Sequence, residues 1–333
     1  MSGRVIVSPV RVAAPGGLGI AQRVSRSWAN GWLRFLFWTT RRALWVPRIT
    51  KPMFMWFAWR TSRSIREGTT CNARWLLGAS SERSERVALG KAVMANFYDA
   101  VVEFGSNQRR TKDQILARLE TIEGQERYTA VRACGRGAIL VTAHLGSFET
   151  AITMLAAQER RIHVVFRRDP FPVFEKLRTI QHARLGIIEA PVDDGLAVWF
   201  GLRDALRADE VVLMQGDRVV PGQKGVAVPF LGGHMHLPPG PVKLAAATGA
   251  PIVPVFALTT PRGRVRIIIE EAIWVGEERS AGESRGECMG VQLRGEPDPA
   301  LIKIAAVIGT YVSRYPEQWL CLHKAWVEDA AAH

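Results

Sequence analysis

Acidic residues are missing from the first 66 positions, which nevertheless hold twelve Lys and Arg. That segment supplies +12 of the formal net charge of +13, so the rest of the 333-residue chain is close to neutral. A basic arm beside a neutral body points to a polyanionic surface as partner. Long apolar runs are lacking as well. Arg34, Arg41, Arg42, Arg48 and Lys51 interrupt the hydrophobic stretches of the arm, whereas a membrane-spanning helix needs about 20 consecutive apolar residues. The four cysteines (Cys71, Cys134, Cys288, Cys321) form no C-x-x-C pair, which excludes a zinc ribbon or disulfide scaffold and suits a reducing compartment. There is no internal repeat, no evident cleavable secretory signal and no G-x-S-x-G motif for a serine nucleophile. His234 and His236 lack a third ligand at suitable spacing, so no metal site is expected.

What the arm has in abundance is tryptophan: Trp28, Trp32, Trp38, Trp45, Trp56, Trp59 and Trp75 are seven of the eleven in the chain. Indole and guanidinium groups both favour the headgroup level of a bilayer, and each basic residue near an anionic leaflet adds about 1 kcal/mol. Residues 25–66 are therefore expected to lie on a membrane rather than cross it. An organellar transit peptide, nucleic-acid binding through interleaved aromatics and simple packing on the main domain are the competing readings; no nucleic acid is expected. The chain is expected to divide into a disordered leader (1–24), a basic, Trp-rich interfacial helical region (25–80) and an α/β domain (81–333).

In the third part, short apolar strands alternate with helical patterns. "GAILVTA" (137–143), "IHVVF" (162–166), "GIIEA" (186–190), "EVVLMQG" (210–216) and "APIVPVFAL" (250–258) read as strands, with helices near 147–160, 171–184, 195–207 and 239–248. "GRVRIIIEEAI" (263–273) adds a strand, 276–299 a polar loop and 298–314 a closing helix. The alternation predicts an α/β fold: a single domain with a mostly parallel central sheet flanked by helices. Ligands of such sheets bind at the carboxyl ends of the strands, where His144, Arg167 with Arg168, and Asp217 with Arg218 all fall. Asp193 and Asp194 are expected to open a helix, with Asp194 as a possible N-cap.

Glu149 follows His144 by five positions at the start of a helix. It is placed to accept a hydrogen bond from Nδ1–H and leave Nε2 as a general base, and the helix N-terminus favours its anionic form. Without an enzyme nucleophile, the simplest chemistry is direct attack of a substrate hydroxyl on an activated acyl group. The segment "HLGSFE" resembles the H-x4-D/E motif of the lysophospholipid acyltransferase superfamily, in its late lipid A (lauroyl/myristoyl) acyltransferase branch. "VVFRRDP" (164–170), "QGDR" with "KGVAVPFLGG" (215–233), "GPVKLAAATGAPIVPVF" (240–256) and "RYPEQWLCLHKAW" (314–326) resemble further pieces of that branch in order, over roughly residues 85–326.

The resemblance implies His144 as base, Glu149 as its partner, Arg167, Asp217 and Arg218 on the substrate and phosphate side, and Gly146, Pro229, Phe230 and Gly232 as shaping positions. Backbone N–H groups after His144 are candidates for the oxyanion site. It further implies an acyl thioester donor on acyl carrier protein or coenzyme A, a lipid acceptor such as a lipid A precursor, no cofactor, and the cytoplasmic face of a bacterial inner membrane. "QGD" keeps only the second of two acids common in that branch, which opens the acceptor to other glycolipids or polar lipids. A thioester or lipid hydrolase and a non-enzymatic membrane-binding protein are the rival readings. "PEQW" is expected to seal the domain without direct chemistry.

Overall fold

The structure, a computed structural model, describes residues 20–219, 223–276 and 297–327. Four helices come first: α1 (Ile20–Arg42), α2 (Trp45–Thr61), α3 (Arg63–Leu77) and α4 (Arg83–Asn107). There follow α5 (Lys112–Leu116), β1 (Leu119–Glu123), α6 (Gln125–Ala133), β2 (Ala138–Thr142), α7 (Phe148–Gln158), β3 (Ile162–Phe166), α8 (Pro172–Leu185) and β4 (Ile188–Pro191). The chain continues through α9 (Leu196–Arg207), β5 (Val211–Gln215), β6 (Val226–Phe230), β7 (Gly233–Leu237), α10 (Gly240–Thr248), β8 (Ile252–Thr259), β9 (Val265–Ile269) and α11 (Pro299–Arg314). Helix α1 begins at Ile20, inside the expected leader; residues 1–19 and most of the expected 276–299 loop lie outside the described residues.

The seven-stranded sheet has the order β1-β9-β8-β2-β5-β3-β4. Strands β8, β2, β5, β3 and β4 are parallel neighbours, whereas β9 runs against β8 and pairs in parallel with β1. All five residues of β2 are buried, and the period of two sends them alternately to two cores. Ile139 and Val141 pack with Leu202 and Leu206 of α9, Leu244 of α10, and Ile304 and Ile308 of α11. Ala138 and Leu140 pack with Tyr128 of α6 and Ile152 and Leu155 of α7 on the other face. A third cluster, Phe37, Phe104 and Leu177, fastens α1 and α4 to α8. The strand pattern missed two things: β1, whose "LETIE" is only half-buried, and the β6–β7 hairpin, whose two-residue turn has Leu231 and Gly232 at φ 44° and 80°.

Helix α2 reverses the usual surface pattern. Trp45, Ile49, Met53 and Trp56 are spaced by four, four and three residues, so they share one face, yet they are 63%, 68%, 64% and 67% exposed. Among the described residues no helix is long and apolar enough to cross a membrane.

Candidate active site

Strands β2 and β5 are parallel neighbours in a register that sets Thr142 beside Gln215. His144 and Asp217 each lie two residues beyond those partners, so the register brings them face to face at the carboxyl edge of the sheet. The His144 Nδ1 lies 2.7 Å from Asp217 Oδ1. The other carboxylate oxygen accepts from Trp319 Nε1 at 2.9 Å. Burial alone would raise the Asp217 carboxyl, but His144, Arg218 and Trp319 outweigh it and hold the group well below the usual carboxylate range. Asp217 is thus an anion that only accepts, which puts the imidazole proton on Nδ1 and frees Nε2. Arg218 Nε, 3.1 Å from Nδ1, therefore acts as a neighbouring charge rather than as a donor to that nitrogen. Burial and Arg218 both push His144 below the ordinary histidine value, against the opposing pull of Asp217. The ring is a neutral base at physiological pH.

Glu149 is not the Nδ1 partner that the spacing suggested. No hydrogen bond or ion pair among the described residues joins it to His144; its Oε2 accepts from Gln181 Nε2 on α8 at 2.5 Å. Nor is it the anion that the helix N-terminus favours, since burial and the nearby Glu103 push its carboxyl up to about 8 despite Gln181 and Arg178. This shift links folding to pH. The carboxyl is protonated in both states at low pH, and as pH rises only the unfolded chain releases its proton readily, so stability falls until about pH 8. Glu149→Gln keeps an oxygen for Gln181 and removes the titration. It should gain roughly 2–4 kcal/mol on the wild type between acid and mildly alkaline pH, allowing for partial exposure. Thermal melts of both proteins across that range test it, and a stability difference independent of pH would refute it.

The loop that carries His144 is held on both sides. Leu320 N–H donates to the His144 carbonyl at 2.8 Å, Gly146 N–H to Gln318 O at 3.1 Å and Ser147 N–H to Ala257 O at 2.7 Å. Leu145 N–H is turned toward Ala143 O at 2.7 Å. The amides after His144, expected as oxyanion donors, are thus already engaged. The cation beside the ring is Arg218, for which no carboxylate lies within ion-pair distance among the described residues. Trp319 proves to be more than a seal, because its indole fixes the carboxylate that orients His144. Phe230 of the β6–β7 hairpin, 6.3 Å from the Trp319 ring, supports it, and Trp326 of the C-terminal segment donates to Phe230 O at 2.9 Å. Pro229 and Gly232 are exposed on that hairpin and make no recorded bond to His144.

Arg167 follows β3 and forms an ion pair with Asp193 at 3.3 Å. Arg168 clasps Asp194 through both terminal nitrogens. Asp193 and Asp194 lie in a short 3-10 turn without a capping bond, so they serve as arginine partners rather than as a helix cap. Between the sheet and α7 lies a small apolar hollow lined by Thr142, Phe148, Ala151, Met154, Leu155 and Tyr128 among others. Thr142 and Phe148 bring it to within a few residues of His144.

A neutral, half-buried histidine oriented by a carboxylate, with a guanidinium beside it, is suited to move a proton during group transfer. Residues 19–328 match the family described as bacterial lipid A biosynthesis acyltransferase. The chain is 30% identical over 144 residues to the phosphatidylinositol mannoside acyltransferase of Mycobacterium tuberculosis, a match covering 43% of this chain and 45% of that protein. It is 24% identical over 220 residues, 63% of either chain, to the enzyme of the same name from Mycolicibacterium smegmatis. The matches thus span less than two thirds of the relatives. With the family match covering nearly its whole length, the chain belongs to the bacterial lipid A biosynthesis acyltransferase family.

Proposed function

We propose that the protein is an O-acyltransferase that works at a membrane surface and moves a fatty acyl chain from a thioester, on coenzyme A or acyl carrier protein, to a glycolipid hydroxyl. The observation that carries this reading is the His144 Nδ1–Asp217 contact at 2.7 Å, which leaves a neutral Nε2 available as base. In the step proposed, Nε2 takes the hydroxyl proton as the oxygen attacks the thioester carbonyl. The imidazolium is stabilised by Asp217 and the tetrahedral oxyanion by Arg218. Collapse breaks the C–S bond, the ester remains on the acceptor and the thiolate takes the proton back from Nε2.

The almost wholly apolar wall of the hollow beside α7 supports a place there for the first part of the donor chain. The relatives' names make a phosphatidylinositol mannoside the first acceptor to try, ahead of a lipid A precursor. The exposed Trp45–Trp56 stripe with its basic neighbours supports an interfacial seat, at the cytoplasmic face of a bacterial inner membrane. The test is incubation of the protein with labelled acyl-coenzyme A, or labelled acyl carrier protein, and anionic vesicles containing the glycolipid. The protein should co-sediment with the vesicles and label the glycolipid. Label found only in free fatty acid would make it a hydrolase, and protein left in the supernatant would overturn the interfacial seat.

A further inference from the structure

We propose that a second pocket, enclosed by the C-terminal end of α4, by α5 and by α8, binds a phosphate group. The inference stands apart from the reaction above, and its test needs no turnover. The polar lining of the pocket is Asn107, Arg110, Lys112, Gln181 and Arg184, with Ile115 and Leu185 as the apolar wall. None of its lining residues is His144, Asp217 or Arg218. Three of the five are cations, and among the described residues none of the three has a carboxylate within ion-pair distance. Glu103, the acid that acts on Arg110, is held by both terminal nitrogens of Arg118 and by Ser147.

Asn107 supplies the second sign of a ligand. It is 1% exposed, and its Oδ1 accepts from Arg110 Nη1 at 2.9 Å, which fixes the orientation of its amide. Its Nδ2 is left as a buried donor with no acceptor among the described residues, a state that costs about 1–3 kcal/mol unless something accepts from it. The bonds that Arg184 and Lys112 do make go to carbonyls, to Gln108 O at 2.7 Å and Ala156 O at 3.2 Å, so their charges stay uncompensated. Burial and the neighbouring Arg118 and Arg48 hold Arg110 below its ordinary value, as expected where positive charge is in excess. Three cations and an amide donor around one hollow need an acceptor with several oxygens and negative charge, which is the chemistry of phosphate.

The phosphate can be free or belong to a lipid headgroup. Arg109, beside the pocket, donates to the Arg41 carbonyl at the end of α1, next to the start of the exposed α2 stripe. Calorimetric titration of the full chain with inorganic phosphate at fixed ionic strength is one arm of the test. Co-sedimentation with phosphatidylcholine vesicles, with and without phosphatidic acid, is the other. Arg110→Gln with Lys112→Gln should weaken phosphate or phosphatidic acid binding by about tenfold or more. Arg160→Gln with Arg207→Gln removes the same charge from exposed positions outside the pocket and should change little. Lys112→Gln alone, at an exposed side chain, covers the case in which the double variant misfolds. Pocket-dependent binding of phosphate alone identifies free phosphate as the source, and pocket-dependent preference for phosphatidic acid identifies a headgroup. Absence of binding in both arms, or equal loss in pocket and control variants, overturns the proposal.

Discussion

Asp217→Asn should lower kcat/KM for acyl transfer by about three orders of magnitude, close to the effect of His144→Ala, while leaving the protein folded. The size follows from counting donors. In the native site one carboxylate oxygen accepts from His144 Nδ1 and the other from Trp319 Nε1. An asparagine there has one oxygen and one NH2, so it can accept from only one of the two. If it accepts from Trp319, its NH2 faces Nδ1, which must then give up its proton and become an acceptor. The proton moves to Nε2, and the nitrogen proposed as base is blocked. If it accepts from His144, a buried indole N–H loses its partner and the negative charge that stabilises the imidazolium is gone. Either arrangement removes a transition-state interaction rather than a binding one, so kcat should fall far more than KM changes. In the wild type the acid limb of kcat/KM should lie below the ordinary histidine range, because the base must be neutral and burial with Arg218 lowers its pKa. An Asp217→Asn enzyme within tenfold of the wild type, or an acid limb above that range, would remove Asp217 from the mechanism.

How much of this was legible in the sequence depends on whether the information is local. "GAILVTA" and "EVVLMQG" declared themselves as buried strands because each is a continuous apolar run ended by polar residues, and both are strands within a residue or two of those limits. The five helices after residue 140 followed equally from local periodicity. The pairing of His144 with Asp217 did not, because it depends on β5 being inserted between β2 and β3, and sheet order is not a local property. Sequence proximity favoured Glu149, five residues away, over Asp217, seventy-three residues away. The signal was still present: His144 and Asp217 stand at the same distance beyond two buried apolar strands. Trp319 was out of reach for the same reason, since "PEQW" gains its role only when the C-terminal segment folds back over the His144 loop. The open face of α2 was legible in part, since the Trp–Arg composition marked the region while the exposed stripe needed the helix and its packing.

Gly146→Ala should cost more than any other single methyl group near the site, on the order of 2–4 kcal/mol of stability and about a hundredfold in activity. Gly146 sits at φ 65°, where a side chain is strained by itself. The larger effect comes from its neighbours. A Cβ there would stand 2.1 Å from the Ala257 carbonyl oxygen and 3.0 Å from the Leu258 Cα, both backbone atoms of central strand β8 that cannot swing aside. The loop must lift off the sheet instead, and it is tied there by Ser147 N–H to that same Ala257 oxygen and by Gly146 N–H to Gln318 O. Losing them moves His144, two residues upstream, relative to Asp217, whose position β5 fixes independently. A displacement of about 1 Å is enough to cost a hundredfold where proton transfer depends on alignment. Gly232→Asn provides the contrast: Gly232 has φ 80° but open space around it, and asparagine tolerates that region, so the cost should stay below about 1 kcal/mol. Thermal melts and initial rates on the two variants decide the matter, and a Gly146→Ala protein as stable and active as Gly232→Asn would show that the loop does not hold His144 in place.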